Sequence, residues 1–429
     1  MRPSRPLRRL VALCSVLTLV VVTPSATAGA GSRDRAWSGV TGGDRDVGIP
    51  RLRRTLTSVQ TDGIVWSDVP VGYWARTAID YVGGVHRWMR DYRPADDGTY
   101  PFRPGRLERR APFARSIVRA FAPQESTDPS ISFPDLPHGR RISRFANVAV
   151  KLGWMQPAPD GGFLPKQPVT TRMVHRALVL ALGLGDLAAG ADALHLRNGT
   201  TFDMPRDFGT LLIGMRIGLR YNHGDESMDV TPTTPLNRAE TAWSLYRAAT
   251  MPGWMPPSLA PYATMSLANL GPEKRRIVQF GIDYVGYPYV YGGDWYRASP
   301  SGYCCGSQPV GGFDCSGLAW WVIKAAEGGW SNQPPRPYPG WSLLQRTSAQ
   351  MSTAGDKIER FEDLRASDLM FYDGNGDGIV DHVDVYIGHG WAIDSSSSIG
   401  GVSIVQVGGG WYRDHFTWGR RVLGVGSSH

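Results

Sequence analysis

The sequence predicts two architectures in one chain: a mostly α-helical repeat region, then an α+β domain whose N-terminal helices pack on an antiparallel sheet. Three observations carry this. A weakly repeated helical pattern runs over 61–251, a Pro-rich break follows at 252–272, and short β-type runs at close spacing fill 273–426.

Residues 1–30 read as a secretory signal peptide. Arg2, Arg5, Arg8 and Arg9 form a basic start, Leu10 to Val22 is apolar, and small residues offer cleavage after Ala28 or Ala30. The apolar run is too short to span a bilayer, and no later segment is long and apolar enough, so no transmembrane anchor is expected. Cys14 lies inside that run and belongs to the signal. Residues 31–60, rich in Gly and Arg without periodicity, read as a linker. The formal net charge of +8 favours, in an exported chain, anionic wall polymers over nucleic acid.

The repeats come next. "WSDVPVGYWARTAIDYV" (66–82) opens one unit, and the segments 102–121, 163–182 and 230–249 close three. Aligned on one another, these closing segments put Arg110, Arg172 and Arg238 in register, each followed by apolar residues at helical spacing. Repeats of this length predict helical pairs that bury their faces on each other. The units resemble S-layer-homology modules, best at Trp66, Asp68, Val69, Trp74 and Ala75 and at Asn237, Arg238, Ala239 and Glu240; Pro112, Met173 and Val174 depart from the pattern. The resemblance implies binding of anionic cell-wall polysaccharide. The alternative is a helical spacer whose arginines are satisfied internally.

Past the Pro-rich linker at 252–272, "EKRRIVQFGIDYV" reads as a helix, and strands are expected at 369–372, 382–387, 391–394, 402–407 and 420–425. Between them lies "GGFDCSGLAW". Of four cysteines, Cys304, Cys305 and Cys315 remain after the signal, an odd number too small for a disulfide framework. The fold must therefore rest on its core.

Asp314 is a good helix N-cap and "CSGLAWWVIKAAE" follows with helix formers, which places Cys315 in the first turn. The positive end of the helix dipole there favours thiolate, and first-turn N–H groups can stabilise an oxyanion. Gly317 is expected to keep that turn clear for a substrate carbonyl. A nucleophilic cysteine needs a base. His382 begins a strand and is fixed by it, whereas His389 sits in a "GHG" turn and His415 and His429 lack such a setting.

These residues resemble the NlpC-type cysteine peptidases, papain-like enzymes that cut the peptide stems of bacterial peptidoglycan. "YVGYPYVYGG" (284–293), "FDCSG" (313–317), "RTSAQ" (346–350), "ASDLMFY" (366–372) and "HVDVYIGHGWAID" (382–394) match in order over about 273–425. The resemblance implies Cys315 as nucleophile, His382 as general base and acid, and Asp394 as the third polar residue. Asp384 and Ser395 remain alternative partners, Asp384 because it lies two residues from His382 on the same strand face. Tyr289 matches a tyrosine near the nucleophile, either a donor to substrate or a packed aromatic; Asp314, Ser316 and Gly317 flank the cysteine. The implied function is a secreted, wall-associated hydrolase acting on peptidoglycan, with the γ-D-glutamyl–diamino acid bond as target and no required cofactor. Alternatives are an N-acetylmuramoyl–alanine amidase of the same fold, or a non-catalytic wall-binding protein.

Two features depart from that family. Residues 294–313 form an insert carrying Cys304 and Cys305, placed at the groove's rim. "DGNGDGIVDHVD" (373–384) has the acidic spacing of an EF-hand loop, with Asp373, Asn375, Asp377 and, at position twelve, Asp384 as candidate ligands for a structural calcium. The other reading is a polar turn using Gly, Asn and Asp for their conformational freedom.

Overall fold

The computed structural model describes residues 64–137, 139–295, 311–327 and 342–424; the signal, the 31–60 linker, Cys304 and Cys305 lie outside the described residues. No helix among the described residues is long and apolar enough to cross a membrane.

The first half is helical, as its periodicity predicts. A helix at Arg76–Ile79 leads into α1 (Arg110–Phe121), α2 (Arg141–Lys151), α3 (Thr171–Ala181), α4 (Gly185–Asp192), α5 (Phe208–Arg216) and α6 (Arg238–Ala249). On α1, Phe113, Ala114, Ile117 and Val118 bury one face, the spacing of a helix packed along one stripe. Close approach of α4 and α5 depends on Gly209, where a Cβ would lie 1.9 Å from the carbonyl oxygen of Ala188.

The internal repetition is a matter of backbone hydrogen bonds. Glu108 N–H donates to Leu236 (2.9 Å), Leu236 N–H to Val169 (2.9 Å) and Val169 N–H to Glu108 (3.0 Å), a closed ring that ties the three closing segments together. Asp68 accepts from the amides of Phe102 and Arg103, and Asp135 accepts in the same way from Phe163 and Leu164.

This ring corrects the expected arginine register. One step on from it, Arg110 N–H bonds Gln167, Thr171 N–H bonds Thr234 and Arg238 N–H bonds Arg106. The counterpart of Arg110 and Arg238 is therefore Thr171, and Arg172 stands one residue later. The reason is local: Thr170 caps α3 through its side chain, so the helix starts at Thr171. Arg110 and Arg238 are both buried. Each donates Nε to a phenylalanine carbonyl (Phe163 at 2.7 Å, Phe102 at 2.8 Å) and Nη2 to a second carbonyl (Gln156, Met89). They staple units together and are not free for a ligand.

Residues 252–272, expected as a linker, are part of the packing. Leu259, Tyr262, Met265 and Leu267 are buried, and the Tyr262 hydroxyl donates to the Ile404 carbonyl at 2.7 Å while its ring meets Trp391 edge-on. Arg220 of the helical half donates to the Gly286 carbonyl at 2.8 Å. Prolines there shape a tight path, and the apolar residues between them fill a seam.

The C-terminal half opens with α7 (Pro272–Tyr284) and α8 (Cys315–Ala326), followed by β1 (Asp356–Ile358), β2 (Leu369–Tyr372), β3 (His382–Gly388), β4 (Trp391–Ser396), β5 (Gly401–Gln406), the short α9 (Gly410–Asp414) and β6 (Phe416–Arg421). The sheet has six strands in the order β1-β6-β2-β3-β4-β5, and every neighbouring pair is antiparallel. The strand expected at 420–425 lies earlier, because Trp418 and Gly419 pair with Phe371 and Met370.

Side chains alternate across the sheet. Leu369, Phe371, Val383, Val385 and Ile393 join the main core with α7 and α8, while Met370, Tyr372, Tyr386, Ala392 and Val405 form a smaller cluster on the other face. Thus α8 is held against the sheet with its first turn near the start of β3.

Candidate active site

Asp314 caps α8: its carboxylate accepts from the Gly317 amide and from the Ser316 hydroxyl (3.1 Å). Cys315 follows in the first turn, 8% exposed, with its thiol free of any disulfide. Gly317 does not leave room for a ligand. A Cβ there would sit 2.1 Å from the Gly293 carbonyl oxygen and against Arg346, so the glycine lets the helix start lie on the 292–293 loop.

That loop is anchored by the first residue of the "RTSAQ" motif, to which the sequence assigned no role. Arg346 donates to Asp314 Oδ1 (3.1 Å), Ser316 Oγ (2.8 Å) and the Gly293 carbonyl (3.0 Å), so one buried guanidinium binds the cap, the residue after the nucleophile and the loop behind it. The same loop carries Tyr289, whose amide bonds the Gly400 carbonyl at 3.2 Å. Burial, and then Cys315 and Asp314, raise the Tyr289 pKa well above that of an ordinary tyrosine. It stays protonated, a hydroxyl donor beside the sulfur.

His382 stands at the first position of β3, and Cys315 is among the groups that raise its pKa. Its Nε2 lies 3.1 Å from Asp384 Oδ1 and 3.1 Å from Asp394 Oδ1, which leaves Nδ1 as the nitrogen not engaged by the carboxylates. Ser395 is not in this group: its hydroxyl bonds the Phe313 carbonyl, on the opposite face of β4 from Asp394. Both carboxylates are fully buried and otherwise satisfied. Tyr372 donates to Asp384 at 2.9 Å, and Ser396 (2.9 Å) and Tyr412 (3.0 Å) donate to Asp394.

Charge follows from this packing. Burial, the largest influence on His382, works against the imidazolium, but Asp384, Asp394 and Cys315 outweigh it and hold the pKa well above the usual value. Burial pushes the Asp384 carboxyl up to about 7, with help from its neighbour Asp394. Burial also opposes ionisation of Asp394, yet hydrogen bonds led by His382 hold it below the ordinary carboxylate range. A histidine kept cationic beside a cysteine is the arrangement that generates a thiolate.

The structure does not gather the four expected calcium ligands. Asp384 is turned to His382 and Tyr372, while Asp373 accepts from the amides of Gly376, Asp377 and Gly378, and Asp377 from Ile379. The loop's carboxylates accept from its own amides, and Asp384 stands apart from them at the histidine.

In the helical half, a cavity of about 360 Å³ is lined by Arg172, Arg176, Arg206, Trp154 and Thr233 among others. Asp207 pairs with Arg176 Nη1 at 2.9 Å, and the Nε atoms of both Arg172 and Arg176 are buried with no protein partner.

Residues 286–421 match the model of the NlpC/P60 family. The chain is 30% identical over 140 residues to the bifunctional muramidase/DL-endopeptidase CwlT of Bacillus subtilis, covering 32% of this chain and 33% of that protein. It is 30% identical over 144 residues to the murein DD-endopeptidase MepH of Escherichia coli (33% and 43%). To the peptidoglycan endopeptidase RipB of Mycobacterium tuberculosis it is 32% identical over 158 residues (35% and 58%). The matched part thus spans between a third and just over half of these relatives' lengths.

Proposed function

We propose, taking residues 286–421 as an NlpC/P60 domain with peptidoglycan endopeptidases among its relatives, that this chain is a secreted cell-wall hydrolase that cuts an amide bond of a peptidoglycan stem peptide. The observation that carries the reading is the line from the Cys315 thiol through His382 to the buried carboxylates, set at a helix start.

In this reading the Cys315 proton rests on His382 Nδ1 and the thiolate attacks the amide carbonyl carbon. Charge developing on the carbonyl oxygen meets first-turn amides of α8 and the Tyr289 hydroxyl. The imidazolium then gives its Nδ1 proton to the leaving amine as the C–N bond breaks. Water, deprotonated by the same nitrogen, attacks the thioester and releases the acid, restoring the thiol.

The bond proposed is γ-D-glutamyl to a diamino acid. Mass spectrometry of fragments from digested peptidoglycan tests this: the new amine should lie on the diamino acid. A new amine on the first alanine would indicate the amidase reading instead. An intact wall after prolonged digestion would leave a non-catalytic wall-binding protein.

A second role rests on the helical half. We infer that it contacts anionic wall polysaccharide through the cavity at Arg172, whose buried Nε has no protein partner, whereas Arg110, which also lines the cavity, and Arg238 donate to backbone carbonyls.

A further inference from the structure

We infer that His382 is positioned by two carboxylates, with Asp384 sharing the imidazole Nε2–H with Asp394 as its equal. The inference rests on the cysteine-hydrolase reading above and adds a positioning residue to it.

The geometry is symmetric. Val385 pairs with Ile393, so continuing that register sets Asp384 directly opposite Asp394 on neighbouring strands. Both Oδ1 atoms stand 3.1 Å from the same nitrogen, and each Oδ2 is held by a tyrosine from outside the pair, Tyr372 from β2 and Tyr412 from α9. In distance to Nε2 the two acceptors are equivalent; they differ in that Ser396 donates only to Asp394 and that Asp384 is the carboxylate whose pKa is raised.

Two carboxylates directly opposite in a buried site repel, and the site has to answer that repulsion. One answer is the cation placed between them; another is a proton retained by one of them, which fits the raised Asp384 pKa. A third comes from the helical half. Arg216, at the end of α5, lies near Tyr262, Tyr412 and Asp394, and its pKa stays above the usual value although burial works against its charge; of these three, Asp394 carries the negative charge near neutral pH. The ionisable groups facing the pair are therefore His382, Tyr372, Tyr412 and Arg216, with Cys315 and Tyr289 beyond the imidazole and Tyr262 beyond the arginine.

The consequence is redundancy. With one carboxylate removed, the other still accepts from Nε2, leaves Nδ1 unengaged and supports the imidazolium. With both replaced by asparagine, an amide oxygen can still accept from Nε2, but no anion is left to support the imidazolium. Catalytic groups that act as a unit give non-additive losses.

The test uses the full chain and four proteins: wild type, Asp384→Asn, Asp394→Asn and the double substitution. Hydrolysis of peptidoglycan is followed against pH, together with the rate of iodoacetamide alkylation at Cys315. Each single change should lower kcat/KM by about ten-fold or less and move the basic limb of the profile toward neutral, since losing an anion lowers the His382 pKa. The double change should lose well over the product of the singles, about a thousand-fold, and alkylation should slow in the same order. Tyr372→Phe removes the hydrogen bond to Asp384, with a weak contact to the Met370 sulfur, and covers the case of a substitution that fails to fold. It should move the basic limb in the same direction by a smaller amount.

A wild-type profile in Asp384→Asn or Tyr372→Phe, with the full loss already present in Asp394→Asn, would overturn the shared role and leave a single carboxylate. That result is distinct from failure of the hydrolase reading, which would show as undiminished hydrolysis by Cys315→Ala.

Discussion

Arg346 offers the sharpest test of how the nucleophile's turn is held. Arg346→Met keeps length and apolar volume while removing the guanidinium. Asp314 would lose a charged partner at 3.1 Å, Ser316 a donor at 2.8 Å and the Gly293 carbonyl a donor at 3.0 Å. Leaving a buried charge without its partner costs about 3–5 kcal/mol. Asp314 retains the Gly317 amide and the Ser316 hydroxyl, so the lower end, about 3 kcal/mol, is expected. At about 2.1 cal/mol/K of unfolding entropy per residue, a unit of several hundred residues loses roughly 1–1.5 °C per kcal/mol, hence a fall of about 4 °C in Tm. Calorimetry measures this directly. Arg346→Lys keeps the charge but loses the planar fork, and should fall between the two. Because α8 starts on these contacts, hydrolysis should drop mainly through kcat. A methionine variant melting within 1 °C of wild type, with unchanged kcat, would refute the role assigned to Arg346.

Two further expectations follow from the helical half. A non-lytic Cys315→Ala protein should pellet with purified walls, less so as salt rises, and Arg172→Ala in that background should weaken pelleting while Lys166→Ala does not; equal pelleting by both would make the cavity a packing void. His175 is buried, and burial, with Arg220 nearby, lowers its pKa to about 3. Below pH 6.5 the unfolded chain then takes a proton that the folded one refuses, so stability falls as pH drops from 6.5 toward 3, by about 2 kcal/mol at pH 5. His175→Gln should flatten that part of the Tm-against-pH curve, and an unchanged slope would rule the histidine out as its source.

What could be read from the sequence was local. The Asp314 cap, the cysteine one residue on, and a histidine opening a strand are patterns within a few residues, and the structure places all three where those patterns put them. Choosing between Asp384 and Asp394 needed the register of β3 on β4, which pairs residues across a turn, and the answer includes both. Arg346 opens the "RTSAQ" motif, but its contacts could not be read because its partners lie about thirty and fifty positions away. The arginine register slipped by one because Thr170 and Thr171 shift the start of α3, a capping effect that aligning side-chain types ignores. In 252–272, proline content outweighed Leu259, Tyr262, Met265 and Leu267 in the reading, although those residues bury themselves in a seam.

The account stands on Cys315 acting as the nucleophile, and alkylation mapped by peptide tests that most directly. Wild-type protein treated with iodoacetamide near neutral pH should carry the label at Cys315 before Cys304 or Cys305, and peptidoglycan hydrolysis should fall in step with that label, to the level of untreated Cys315→Ala. Hydrolysis that survives full modification of Cys315, or that persists in Cys315→Ala, would contradict it.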